Sequence, residues 1–180
     1  MTGIPEAPLN RTENGVEAAG EGWFVVNARD AVWGESDEFG VYTRLGEGKE
    51  ARFPQLGFNI GVLWPGQPAC MYHREPNQEG FLIVAGACIL FVEGEERRMT
   101  TWDYFHCPPD TDHVMVAVGD EPCVAVAFGS RFSRDVVYSE FEPARRYGGA
   151  VEQETTDPKE AYAGMDVRDV PYKDGWLPDL

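Results

Sequence analysis

Between residues 56 and 128 the chain is a succession of short apolar runs, each closed within a few residues by a turn signal. Residues 56–63, 70–74, 80–84, 88–92, 97–100, 104–107, 113–118 and 123–128 read as strands, separated by Gly, Pro, Asp and Asn. No helical period lies between them. Runs this short and this regularly punctuated argue against a parallel sheet with crossover helices and for an antiparallel sandwich or barrel. Glu93-Gly94-Glu95 is a hairpin signal within the series. Upstream, residues 22–27 read as a further strand leading into a capped turn over 27–33, and 39–45 as another. Residues 1–22 are polar and read as a flexible arm. Beyond Arg131 the strand signal fades, and 142–147 and 157–163 each read as a short helix, with Ser139 and Asp157 as N-caps. The tail 171–180 carries Pro and Trp and is expected to pack over a neighbouring surface.

Only three histidines serve the whole chain, and two of them stand where a metal site needs them. His73 lies in the run from Pro65 to Glu79, and His113 closes the run from His106 to His113. Alternate residues of a strand share a face, so His73 and Glu75 line up with Met71. Glu79 opens the next strand and continues inward with Phe81 and Ile83. His113 opens another, followed inward by Met115 and Ala117. The expected ligand set is His73, Glu75, Glu79 and His113. Imidazole and carboxylate suit a divalent transition metal such as Fe, Mn, Ni or Zn, one per chain. Apolar neighbours would leave coordination positions open, which is what separates a catalytic metal from a structural one. His106, on the strand entering the second run, reads as structural or as a support for the ligands.

These two runs resemble the two motifs of the cupin superfamily. The first motif reads Gly, five residues, His-x-His, three or four residues, Glu, six residues, Gly. His73, Glu79 and Gly86 reproduce that spacing, with Glu75 in place of the second His and Gly66 one residue early. The second reads Gly, five residues, Pro-x-Gly, two residues, His, three residues, Asn. Pro108 and His113 match it, while Trp102 and Asp110 replace its glycines and Ala117 its Asn. The resemblance covers roughly residues 55–130. It implies an all-β double-stranded β-helix, the jelly-roll barrel of cupins, over residues 23–130, with a C-terminal extension, 131–180, packing on the barrel or on a dimer partner. It further implies a metal-dependent enzyme, dioxygenase-like or isomerase-like, acting on a small oxygen-bearing organic molecule, with Glu75 as ligand or as general base. The alternative is a non-catalytic small-molecule-binding or structural cupin. A homodimer is expected, since single barrels expose sheet edges.

Other classes are disfavoured. A net charge of −16 would repel nucleic-acid phosphates. No stretch approaches the roughly 18 apolar residues of a membrane span, and residues 1–22 lack the basic and apolar regions of a signal peptide, so a cytoplasmic location is expected. Cys70, Cys88, Cys107 and Cys123 fall in or beside strands and read as reduced, buried thiols. A rival zinc site from Cys70, His73, His106 and Cys107 is disfavoured by parity, since Cys70 and His73 would point to opposite faces. No nucleophile elbow surrounds any serine, and Gly46-Glu47-Gly48-Lys49 lacks the P-loop frame.

Overall fold

The computed structural model describes residues 3–48 and 52–179. Fourteen strands and two short helices follow in order among these residues. The first half holds β1 (Leu9–Thr12), β2 (Gly15–Ala18), β3 (Trp33–Ser36), β4 (Gly40–Thr43), β5 (Leu56–Leu63), β6 (His73–Arg74) and β7 (Glu79–Ala85). Then come β8 (Ala87–Val92), β9 (Glu95–Thr100), β10 (Tyr104–Cys107), β11 (His113–Val118), β12 (Cys123–Ser130) and β13 (Val137–Tyr138). Helices α1 (Glu142–Arg145) and α2 (Pro158–Ala161) precede β14 (Arg168–Val170).

Two antiparallel sheets make the body. One runs β10-β7-β12-β5-β4-β3-β14 and the other β13-β6-β11-β8-β9. Their inner faces interdigitate: Leu63, Phe81, Ile83 and Ala125 of the larger sheet pack against Cys88, Leu90, Met115 and Ala117 of the smaller. This is the expected jelly-roll sandwich, and the alternation in β7 and β11 is its cause, since every second side chain enters the core. The hairpin expected at Glu93-Gly94 joins β8 to β9. Both residues have positive φ, 49° and 78°, as a two-residue turn matched to strand twist requires.

The extension after Arg131 packs on its own barrel. Ala144 of α1, with Tyr72 and Ala150, covers Phe91, Val114 and Val116 on the outer face of the smaller sheet. On the larger sheet, Trp176 meets Trp33 at 5.3 Å between ring centroids and joins Val41, Val62 and Val124. Asp157 caps α2 as expected, its Oδ1 accepting from the Lys159 amide at 2.8 Å. Ser139 is not a cap. Its hydroxyl instead donates to Asp112 and accepts from Arg74, and α1 starts after Phe141 with no side-chain cap.

Three local expectations are corrected. The segment read as a flexible arm contains the β1–β2 hairpin, with Ala7, Val16 and Ala18 buried. Residues 22–27 form no strand beyond a single bridge from Trp23 to Glu6, whereas β3 starts at Trp33, the last residue of the expected turn, and runs through residues to which no strand was assigned. Residues 70–74 contribute only His73 and Arg74 to a sheet, because Ala69 to Tyr72 bend away from regular pairing. No helix among the described residues is long and apolar enough to cross a membrane.

Candidate metal centre

His73 and His113 are brought together by strand pairing. They are register partners between β6 and β11, and their ring centroids lie 4.8 Å apart. Glu79 comes from the opposite sheet, at the first position of β7, where Cys107 and Gly129 are its neighbours on either side. Ligand atoms of His73, Glu79 and His113 all lie within 4.8 Å of one another, the grouping with metal-ligand character among the described residues. Phe81 and Phe105 flank the His113 ring at 5.3 and 5.8 Å.

Both imidazoles are set in the tautomer that a metal needs. His73 Nδ1 lies 2.8 Å from the Met71 carbonyl oxygen, and His113 Nδ1 lies 3.0 Å from that of Thr111. A carbonyl only accepts, so each Nδ1 must carry the proton and donate it. Nε2 is then the atom with the lone pair, and that of His113 faces Glu79.

The donor atoms lack partners. His113 Nε2 and Glu79 Oε2 are 3.5 Å apart, and both are buried without a hydrogen bond among the described residues. Leaving a buried polar atom unpaired costs about 1–3 kcal/mol. A divalent cation between them would satisfy both, so the residues fit the group that the motif implies. Burial, followed by the neighbouring Glu75 charge, pushes the Glu79 carboxyl up to about 8. Burial, then His73, holds His113 down to about 4, and burial lowers His73 as well. The metal-free cluster near neutral pH is therefore two neutral imidazoles and a protonated carboxyl, ready to exchange one proton for a cation.

Glu75 stands apart. It lies outside the set of three and lines an outer cavity of about 500 Å³, which Glu79 and Asn59 also line. Burial raises its carboxyl above the ordinary range. An inner cavity of about 290 Å³ holds His73, Glu79 and His113 against Leu63, Phe81 and Met115. The two cavities meet at Glu79, Asn59 and Ala127. Asn59 was not singled out by sequence, and its amide oxygen is a third buried atom without a partner. The signal was a lone amide in the apolar run of β5.

The thiols sit elsewhere than parity suggested. Cys70 Sγ is 3.6 Å from His73 Nδ1, and Cys107 Sγ is 3.5 Å from His113 Nδ1. The bend at residues 69–72 breaks the alternation on which the opposite-face argument rested. Both sulfurs nonetheless lie beside Nδ1 rather than Nε2. Burial pushes the Cys107 thiol up to about 12 and the Cys70 thiol higher still. His106 is exposed on the outer side of β10. The Cys70, His73, His106 and Cys107 set is thus not assembled.

The glycine pattern of the motifs has a physical counterpart. Gly86 has φ +70°, and a Cβ there would lie 2.2 Å from the Pro122 carbonyl oxygen. Trp102 and Asp110, which stand where the second motif has glycine, keep positive φ of 74° and 61°. Both positions thus adopt the left-handed backbone that glycine takes most readily.

The family model for the cupin domain matches residues 59–129, from β5 to β12. A Thermotoga maritima structure described as a predicted oxalate decarboxylase shares 18% identity and a TM-score of 0.52, over 59% of this chain and 98% of that one. A Silicibacter pomeroyi structure described as a sugar phosphate isomerase from a cupin superfamily shares 18% identity and a TM-score of 0.49, over 77% of this chain and 83% of that one. A protein of Acidithiobacillus ferrooxidans shares 21% identity and a TM-score of 0.43, over 46% of this chain and 54% of that one, so this chain spans about half of its length. No curated protein matches the chain in sequence. At such identities the structural likeness is one of fold. The cupin-domain model thus covers the motif-bearing strands from β5 to β12, so it is this part of the chain that is similar to a cupin domain.

Proposed function

We propose that this cupin is a metal-dependent enzyme acting on a small oxygen-bearing organic molecule, with His73, Glu79 and His113 holding one divalent transition metal and Glu75 moving a proton. The observation that carries the reading is the pair of unpartnered buried atoms, His113 Nε2 and Glu79 Oε2, facing each other beside His73. Three protein ligands leave positions open, as catalytic sites do and closed structural sites do not. A metal bound there supplies Lewis-acid polarisation of a substrate oxygen, or activation of O2 beside it.

This chain's residues do the rest. The Met71 and Thr111 carbonyls fix the imidazole orientation. Phe81, Leu63 and Met115 give the inner cavity an apolar wall, a setting in which charge interactions are stronger than in water. Glu75, a carboxylate on the cavity wall outside the ligand set, is placed to take a proton from a substrate entering by the outer cavity. That assignment supports isomerase-like proton transfer. Oxygenase-like chemistry is the second reading, favoured by the two-His-one-carboxylate set, which non-haem Fe(II) oxygenases share.

The test is metal-reconstituted protein, loaded in parallel with Fe, Mn, Ni and Zn, offered small hydroxy- and keto-compounds in D2O. Proton transfer would appear as deuterium entering the compound, oxygenation as O2 uptake. Under the first reading, Glu75→Gln keeps its metal and loses deuterium incorporation by about a hundredfold or more. Full metal occupancy with neither signal would make the protein a binding module.

A further inference from the structure

We propose that the outer cavity is an anion site, which takes the carboxylate or phosphate of the substrate on Arg44, Arg52 and Arg134 while the substrate's other end reaches the metal cluster. The inference rests on the metal reading for its inner half and stands on separate residues for its outer half.

The chain is strongly acidic, with 31 Asp and Glu against 15 Lys and Arg, so cationic surface is scarce and its placement is informative. Seven of the twelve arginines pair with carboxylates: Arg29, Arg74, Arg97, Arg131, Arg145, Arg146 and Arg168. Five have no such partner among the described residues, and three of these five line this one cavity. They come from three places in the chain: Arg44 from the end of β4, Arg52 from the approach to β5, and Arg134 from the stretch after β12. Only the fold assembles them.

Little on the wall opposes them. Buried Glu47 is taken up by the guanidinium of Arg131, which reaches both of its oxygens, and Glu79 belongs to the metal cluster. Glu75 is the remaining carboxylate against three arginines. Guanidinium forks match carboxylate and phosphate oxygens better than any other side chain. Because Glu79 and Asn59 border both cavities, a ligand anchored on the arginines extends directly to His73 and His113. The combined space, about 500 and 290 Å³, accepts a small metabolite and not a polymer.

The experiment is calorimetric titration of zinc-loaded protein at low salt, where such contacts are least screened. Inorganic phosphate and succinate are the probes, with glycerol as the neutral control. Either anion should bind, with glycerol silent. Arg52→Gln and Arg134→Gln should each weaken the preferred anion by about fivefold or more, as for loss of a charge-assisted hydrogen bond, with metal content unchanged. Preference for phosphate assigns a phosphorylated substrate, preference for succinate a carboxylated one. Equal affinity of wild type and the Arg52→Gln/Arg134→Gln double variant, or no anion binding at all, would overturn the inference. His113→Ala separates the two readings: metal loss there with anion binding retained supports both, whereas failure to load metal in the wild type sinks only the metal reading.

Discussion

His73 and His113 face each other as register partners on β6 and β11, their ring centroids 4.8 Å apart. Strand pairing alone therefore sets the distance between two ligands, and the third, Glu79, is supplied across the sandwich by the other sheet. Removing one member should cripple the site. His113→Ala and Glu79→Ala should each lower metal affinity by more than about tenfold, read by metal analysis after dialysis. Cys70→Ser should leave metal content unchanged, because its sulfur lies beside Nδ1.

The cluster should make stability depend on pH only when metal is absent. Glu79 sits at about 8 in the fold against an ordinary 4.5, so its contribution is fully present below about 4.5 and is lost as pH rises through 8. His113, at about 4 against 6.5, has the opposite sign, with its contribution present above 6.5 and lost as pH falls through 4. Between pH 6.5 and 8.5 the Glu79 loss outweighs the small remaining gain from the two histidines, whose unfolded-state titration ends just above 6.5. Chelator-treated protein should melt at a lower temperature at pH 8.5 than at pH 6.5. Metal-loaded protein should show a smaller drop, since bound metal holds Glu79 ionised throughout. A melting temperature of the metal-free protein that rises over this range would contradict the burial assigned to Glu79.

Trp102 carries a φ of 74° with its side chain 69% exposed. A left-handed conformation costs a bulky residue about 1–2 kcal/mol, and little packing offsets it. Trp102→Gly should therefore stabilise the protein by about 1 kcal/mol in denaturant unfolding. Asp110→Gly should gain less, because Asp tolerates that region better.

Trp176 is 8% exposed against Trp33, which is fully buried. If the extension is part of the barrel's own packing, Trp176→Ala should cost about 3 kcal/mol. A neutral outcome would mean that the tail leaves the larger sheet in solution.

Much of this was legible in the sequence. Strands β5 and β7 to β12 were read within two residues at each end, since each run is bounded by its own turn residues. What failed has specific causes. In β3, Trp33-Gly34-Glu35-Ser36 shows no alternation, and its strand state is imposed by pairing with β4 and β14. The β1–β2 hairpin was hidden by its polar strands, although Asn14-Gly15 is a strong turn signal. Parity misplaced Cys70 because alternation holds only where a strand is regular. The spacing of His73, Glu79 and His113 was readable from motif context, whereas Asn59 and the arginines at 44, 52 and 134 are gathered only by tertiary structure.

If His73, Glu79 and His113 bind one metal ion, that ion should stay with the protein through desalting. Metal analysis by mass spectrometry on protein reconstituted with Fe, Mn, Ni or Zn and then desalted tests it most directly. About one divalent ion per chain is expected for at least one of these metals, lost in His113→Ala while the fold survives. Less than about a tenth of an ion per chain for all four in correctly folded wild-type protein would contradict it.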